Sequence, residues 1–451
     1  MITALAASVL LVAAPPAASS STPAASSNPP AAAPAPTPYI RSSSKDGYTA
    51  LEICSREYRR TDGTGPSVWL VGVVHIGDKR YYDEVVALLG RSEVVLYESV
   101  LPRGAFGTAG RTDLERQRRT QDAMLFARSL VERFRMKNDR LPSDAAELRA
   151  FTVGQDTRLA RPFDLAMRDG WDGVVEYTVS GDSYALRSLG SDRTEGGRGL
   201  ALDLVLSEHP RDAARYEKAR TEPKSEEKRD LYLEMADALD VTLQVRSIDY
   251  DRTGWEPADL PMEELLDRLW KRGERSATLE MLSSDSGFAR GMLRFLLSFV
   301  SKSPSFKKMV VQALGEADPG RRGRGGLGDV DTRIIIDERN DAVIDHLRDL
   351  IAGANAPKSV AVFYGAAHMA DFEKTLREEF GMEPGAAEWL TAMSVDEWSA
   401  ERLRKSIDSL SAQQAKAAAD PAMSDKSAAL ALRIEALRRR IAAKESAAGA
   451  K

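Results

Sequence analysis

The stretch VWLVGVVHIGD, Val68 to Asp78, decides the fold. An apolar run of strand length ends there on a glycine and a histidine, and a helical pattern follows until Gly90 stops it. Nearly the same pattern returns at VAVFYGAAHMAD, Val360 to Asp371, although the chain has only 4 histidines. This repeat of strand, loop and helix predicts an α/β fold whose two units pair in parallel through right-handed crossovers.

The two units align as Gly72-x-x-His75-x-x-Asp78 and Gly365-x-x-His368-x-x-Asp371. The glycines would let the backbone turn tightly, so that each histidine projects over the end of its strand. The two aspartates suit the N-cap positions of the helices that follow. Because ligands gather at the carboxyl ends of parallel strands, we expect both histidines at one functional edge of the sheet.

A second buried strand, EVVLY from Glu93 to Tyr97, ends directly at Glu98. His75, His368 and Glu98 would then meet at the same edge. Two imidazoles and a carboxylate are the minimal site for a divalent transition metal such as zinc, manganese or cobalt. Glu98 would be either a metal ligand or the general base, and spacing alone leaves both roles open.

The helical stretch ERNDAVIDHLRDLI, residues 338 to 351, places Asn340 near the centre of its apolar stripe and Arg339 at the margin. A guanidinium on a half-buried face needs an anionic partner. Arg339 could pair with Glu98 or hold a carbonyl or carboxylate of a substrate. An ordinary surface ion pair is the alternative.

Composition narrows the class of protein. A net charge of -5 over 451 residues gives no reason to expect nucleic acid as a partner. A single cysteine, Cys54, excludes an internal disulfide and a zinc site built on thiolates. The opening MITALAASVLLVAAPPAASS has the apolar run and small residues of a signal peptide and is too short for a convincing membrane span. We therefore expect a periplasmic or secreted protein with no transmembrane span in the mature chain.

The two Gly-x-x-His units, the VVLYE strand and the ERND helix together resemble the TraB/PrgY/GumN and TIKI family. The resemblance covers residues 65 to 100 and 330 to 392, and more weakly 234 to 252. It implies a TIKI-like α/β fold and, because TIKI members are described as metal-dependent proteases, a hydrolase acting on peptides or proteins. Carried over by position, His75, Glu98 and His368 would be metal-site residues, with Arg339 and Asn340 in catalytic support.

A middle segment resembles the periplasmic part of the major pseudopilin of type II secretion. The resemblance rests on a long helix, the turn Asp169-Gly170-Trp171-Asp172-Gly173 and a glycine-rich loop. In those proteins the loop holds calcium, which implies Ser188, Asp192 and Asp203 as candidate ligands here. A glycine-rich turn without metal is the alternative.

These patterns divide the chain into six parts. They are a signal peptide (1–20), an Ala/Pro/Ser-rich linker (21–45), the first half of the TIKI-like domain (46–110), the pseudopilin-like insertion (111–205), the second half of the domain (206–394) and a helical tail (395–451). The insertion and the tail would serve protein partners. The expected activity is metal-dependent peptide hydrolysis. The alternatives are a non-catalytic peptide-binding or regulatory protein and a metal-independent esterase based on histidine.

Overall fold

A computed structural model describes residues 38–221, 236, 239, 241–274, 304–316 and 336–449. The expected signal peptide and most of the expected linker lie outside these residues. Within them the fold is α/β, as the sequence predicts. The strands are β1 Ile40–Lys45, β2 Tyr48–Arg60, β3 Ser67–Val73, β4 Ile76–Gly77, β5 Val94–Tyr97, β6 Glu176–Ser180, β7 Ser183–Ser188, β8 Leu204–Ser207, β9 Thr242–Leu243, β10 Trp255–Pro257, β11 Ser359–Gly365 and β12 Met382–Asp396.

The helices occupy much of the remaining described chain. They are α1 Lys79–Leu89, α2 Asp113–Asn138, α3 Ala145–Gln155, α4 Ala160–Ala166, α5 Pro210–Thr221, α6 Gln244–Ser247, α7 Met262–Arg272, α8 Pro304–Glu316, α9 Glu338–Ala352, α10 Met369–Glu378, α11 Ala400–Ala418 and α12 Ser424–Gly449. No helix among the described residues is both long and apolar enough to cross a membrane.

The main sheet is mixed. Its strands run in the order β1-β2-β3-β11-β5-β10, and β12 pairs with β2. The two strands of the repeated units, β3 and β11, are parallel neighbours, and β5 lies parallel on the other side of β11. The carboxyl ends of these three strands therefore meet at one edge, which is where the two Gly-x-x-His units and Glu98 were expected to meet.

Alternate residues of β3 enter two cores on opposite faces of the sheet, and all of β3 is buried. Trp69 and Val71 pack in the core that also contains residues of α1 and α8. Val68 and Leu70 pack in the core formed with α9 and α10. Such a strand reads as a continuous apolar run because both of its faces are covered by helices.

The residues of the expected insertion form three α-helices and a small sheet of their own. Its long helix α2 starts at the N-cap Thr112, whose hydroxyl accepts a hydrogen bond from the backbone of Glu115 at 3.2 Å. Helices α3 and α4 share a core with α2. A small antiparallel sheet, β6-β7-β8, packs against α2. The sequence predicted the long helix. Strand β8 continues to Ser207, so the small sheet extends past the expected end of the insertion at residue 205.

Three further sequence expectations about element boundaries need correction. The linker was expected to reach residue 45, but the chain joins the sheet at Ile40 because β1 pairs with β2. The tail was expected from residue 395, but β12 continues to Asp396 and helix α11 starts at Ala400. Asp371 was expected to cap a helix, but α10 starts at Met369 and His368 occupies the N-cap position.

Candidate active site

The candidate site lies at the carboxyl edge of the parallel strands. Glu98 directly follows β5, His75 lies just beyond β3, and His368 ends the short turn between β11 and α10. The polar residues brought there are buried, since Arg339, Asn340 and His368 are each less than a tenth exposed. The site therefore holds several polar groups inside the protein. Most of them hydrogen-bond one another, while Nδ2 of Asn340 is buried with no hydrogen-bond partner among the described residues.

His75 is held by an amide. Its Nδ1 lies 2.9 Å from Oε1 of Gln244. The amide nitrogen of Gln244 donates to the hydroxyl of Tyr250 at 2.8 Å, and the backbone N–H of Gln244 donates to the carbonyl of His75 at 2.9 Å. Because an amide oxygen only accepts, Nδ1 carries the proton and Nε2 has a lone pair for a metal or a proton.

His368 is held in the same way from the other side of the site. Its Nδ1 lies 2.6 Å from Oδ1 of Asn340, so Nε2 again has the lone pair. Burial, more than any other cause, lowers the pKa of His368 to about 3. The imidazole is therefore neutral at physiological pH, which is the form that binds metals.

Glu98 is fixed by two donors. Nη2 of Arg339 donates to Oε1 at 2.6 Å, and the backbone N–H of Gly365 donates to Oε2 at 2.9 Å. Burial raises the pKa of the Glu98 carboxyl, but Arg339 and the imidazoles of His75 and His368 outweigh burial, and the pKa lies well below its usual range. Glu98 is thus ionised at any physiological pH.

Arg339 also binds a second carboxylate, Asp259. Its Nε donates to Oδ1 at 2.9 Å and its Nη2 to Oδ2 at 2.8 Å. Asp259 accepts further hydrogen bonds from the backbone N–H groups of Ser99 and Leu260. Within the described part of the chain, two carboxylates share this guanidinium: the Asp259 side chain is fully buried, and the Glu98 side chain is 14% exposed. Burial raises the pKa of the Asp259 carboxyl above its usual value, although Arg339 opposes this. Where both carboxylates are ionised they outnumber the one guanidinium, and a cation or a proton would balance the difference.

The donor chemistry fits a divalent metal. Two imidazoles present Nε2, each oriented through Nδ1 by an amide oxygen, and such partners set the tautomer of metal-binding histidines. The Glu98 oxygens each accept one hydrogen bond, and a carboxylate oxygen has a further lone pair. However, among the described residues no three His, Cys, Asp or Glu side chains are grouped closely enough to hold an ion. The three-ligand metal site therefore stays a prediction.

The motif glycines do not act as expected. Gly72 lies inside β3, and neither Gly72 nor Gly365 has a positive φ. A Cβ on Gly72 would come within 3.1 Å of the carbonyl of Cys54 and 3.3 Å of Ala366, so glycine permits close packing here. A Cβ on Gly365 would lie 3.4 Å from the Glu98 carboxylate. Both glycines thus make room at the site.

Asp78 lies at the N-cap position of α1, as predicted, although its side chain makes no capping hydrogen bond. One of its carboxylate oxygens lies 3.4 Å from Nζ of Lys307 on α8. Asp78 therefore connects the first unit to α8, and Asp371 lies in the first turn of α10.

The residues of the candidate calcium loop make local hydrogen bonds. The Ser188 hydroxyl donates to Oδ2 of Asp169 at 2.7 Å, while Asp192 and Asp203 accept from backbone N–H groups of the loop. Asp169 is 2% exposed and also accepts from the backbone of Trp171 and Gly173. Asp169 organises this loop, and calcium binding stays a prediction.

Sequence reasoning missed Gln244, Tyr250 and Asp259. Gln244 follows β9, which pairs with β4 beside His75. Asp259 comes shortly after β10, so it reaches the same edge of the sheet as Glu98. Asp259 could have been found as a polar residue at the carboxyl end of a strand. However, β10 has only 3 residues, which is too short to show a strand pattern in the sequence.

No family model, curated protein or solved structure matches this chain.

Proposed function

We propose that the chain is an exported hydrolase that uses a divalent transition metal and acts on peptide bonds, with its site at the carboxyl edge of β3, β11 and β5. The observation that carries this proposal is the matched pair of imidazoles. His75 and His368 each have Nδ1 against an amide oxygen, from Gln244 and Asn340, and a lone pair on Nε2. Two such histidines beside an ionised carboxylate are suited to binding a metal.

The metal would be held by His75 and His368, with Glu98 as the carboxylate ligand. When bound, it would lower the pKa of a coordinated water and polarise a carbonyl group. Two carboxylates that share one guanidinium would favour a cation there when both are ionised. Its identity as zinc, manganese or cobalt stays open.

The protein's own residues would fix the geometry. Gln244 and Asn340 orient the two imidazoles, and Arg339 and the backbone of Gly365 hold Glu98 in place. Both oxygens of Glu98 already accept strong hydrogen bonds, which makes this carboxylate a weak proton acceptor. We therefore favour a ligand role for Glu98 over the role of general base. Arg339, bound by two carboxylates, would act by positioning Glu98.

A metal-independent hydrolase is the second candidate. It is favoured by the lack of a three-ligand cluster among the described residues. It is also favoured by the half-buried side chain of His75, whose Nε2 lone pair suits a general base. In that case the lone pair on His75 would accept the proton of the attacking water. A peptide-binding protein without turnover is the remaining alternative.

Peptide hydrolysis under defined metal conditions separates these functions. The full chain would be stripped with a chelator, reloaded with zinc, manganese or cobalt, and incubated with a library of quenched fluorescent peptides. We expect cleavage only after reloading and its loss in Glu98→Gln. The matched control is Glu388→Gln, an exposed carboxylate that also pairs with an arginine, Arg91.

Each other outcome selects a different function. Cleavage that survives the chelator and is lost in His75→Ala supports the metal-independent hydrolase. Saturable peptide binding without cleavage under every metal condition supports the binding protein. Wild-type activity in Glu98→Gln contradicts the role given to Glu98.

A further inference from the structure

An apolar recess opens beside His75 and the backbone of Gly365. Its walls come from the ends of β3 and β11 together with residues of β1 and α8. They include Ile40, Val73, Ile76, Leu314, Ala366 and Ala367. Because Gly365 also donates to Glu98, the recess adjoins both halves of the candidate site. A substrate reaching His75 and Glu98 would lie against its mouth.

The lining selects for an apolar group. Apart from His75, every lining residue among the described ones is aliphatic or glycine. A polar group placed in this recess would lose its hydrogen bonds to water without replacement. An apolar group would bind there with a favourable free energy, because its surface leaves water. The recess covers about 380 Å³ including its open mouth, and its enclosed part has room for about one water-sized group.

The walls are fixed, which gives the recess a defined size. Helix α8, which carries Leu314, packs closely on β1: a Cβ on Gly315 would lie 2.3 Å from Cβ of Ser42. Leu314 itself is 6% exposed, so it has little freedom to move aside. The other walls come from the ends of β1, β3 and β11, from β4, and from the turns that follow β3 and β11. An oversized group would therefore meet rigid packing.

We infer that this recess is the specificity pocket of the site and accepts a small apolar side chain, of the size of a methyl group, next to the bond that is cut. The inference rests on the proposed function and names its substrate class: peptides with alanine or a residue of similar size at that position. Leu314 and Ala367 set the upper limit on size. Each methylene beyond that limit costs about tenfold or more in affinity.

Binding of short peptide analogues tests the pocket without any need for turnover. The full chain would be titrated with N-acetyl-alaninamide, N-acetyl-valinamide and N-acetyl-leucinamide, and binding followed by ligand-observed NMR. We expect the alanine compound to bind at least tenfold more tightly than the leucine compound. Leu314→Ala should reverse this preference by enlarging the pocket. Ala367→Leu should abolish binding of all three compounds by filling it.

The controls keep the test independent of stability and of catalysis. Leu266→Ala removes an exposed leucine of α7 and should leave the preference unchanged. Each variant must unfold at a midpoint close to that of the wild type. Since Leu314 is buried, Ala367→Leu gives a second test if Leu314→Ala fails to fold.

The outcomes separate the pocket from the hydrolase. Equal binding of the alanine and leucine compounds, no saturable binding of the alanine compound, or unchanged binding in Ala367→Leu would overturn the pocket. Size-selective binding without hydrolysis of any peptide supports the pocket and rejects the enzyme. Hydrolysis with no preference for small residues supports the enzyme and rejects the pocket.

Discussion

At the scale of single residues, the candidate site is a set of polar groups that orient one another. Gln244 and Asn340 determine which nitrogen of each imidazole carries the proton. Arg339 holds two carboxylates in place. The sequence predicted that His75, His368 and Glu98 would meet at strand ends, and it offered a pair with Glu98 as one of several roles for Arg339. It could not indicate Gln244, which lies 169 residues from the histidine that it holds.

Loss of Gln244 should weaken metal binding without unfolding the protein. In Gln244→Ala the Nδ1 of His75 loses its partner, so both the tautomer and the ring orientation become less defined. We expect affinity for zinc to fall roughly 10–100-fold by isothermal titration. Tyr250→Phe, which removes only the partner of Gln244, should have a smaller effect. Wild-type affinity in Gln244→Ala would show that this amide does not orient a metal ligand.

Loss of Arg339 should cost much of the stability of the fold. In Arg339→Met, Glu98 and Asp259 remain buried without their shared cation. We expect the free energy of unfolding in urea to fall by about 3–5 kcal/mol. Combining Arg339→Met with Asp259→Asn should recover part of the loss, because the Asp259 carboxylate then no longer stays buried without the Arg339 guanidinium. Equal losses in the single and double variants would contradict the coupling.

His368 should make stability depend on pH. Its pKa is about 3 in the folded protein, below the ~6.5 of an unfolded chain. Between these values the unfolded state binds more protons, so stability rises with pH through this window and levels off above it. Urea titrations of His368→Gln should show a flatter rise than the wild type. The control His209→Gln, at an exposed position, should keep the wild-type slope.

At the scale of elements, the sequence predicted some strands and helices and missed others. The sequence predicted β3, β5, α1 and α9 to within a residue or so, because the two strands are apolar runs of strand length and each helix has an apolar stripe or a stopping residue. It predicted neither β1 nor the long β12, whose burial varies along the strand because β12 lies at the edge of the sheet. Pairing with β2, a contact between segments far apart in sequence, stabilises β12.

Gly315→Ala should displace α8 from β1. The new Cβ would lie 2.3 Å from Cβ of Ser42, which no rotation of a side chain can relieve. We expect a loss of about 1–3 kcal/mol in the free energy of unfolding. Gly154→Ala in α3 is the matched control, because nothing lies within 4 Å of its Cβ position. That change should stabilise the helix by about 0.5–1 kcal/mol. Equal effects of the two substitutions would argue against tight packing of α8.

At the scale of the whole molecule, the insertion and the tail both contact the main sheet. The insertion contacts the main sheet near the site, where the hydroxyl of Tyr97 donates to the carbonyl of Arg158 at 2.9 Å. The tail forms a helical hairpin, α11 and α12, with its own core. The hairpin is fixed to the sheet by Arg433 to Asp46 and by Arg440 to Asp396. The sequence predicted the helices of the tail but gave no signal for these long-range ion pairs.

Removing the two arginines should release the hairpin. In Arg433→Ala/Arg440→Ala, we expect amide hydrogen exchange in α11 and α12 to speed up by roughly tenfold, while exchange in β3 and β11 stays unchanged. The control Arg404→Ala removes an exposed pair with Glu445 inside the hairpin and should have little effect. Unchanged exchange in the double variant would mean that apolar packing alone holds the hairpin.

The most direct test of the proposed function is metal stoichiometry by native mass spectrometry after reloading with zinc, manganese or cobalt. We predict about one ion per chain in the wild type and none in His75→Ala/His368→Ala. The double variant His209→Ala/His346→Ala removes the other histidines and should bind like the wild type. No ion in the wild type under any loading condition, or an unchanged ion in His75→Ala/His368→Ala, would contradict a metal centre at this edge of the sheet.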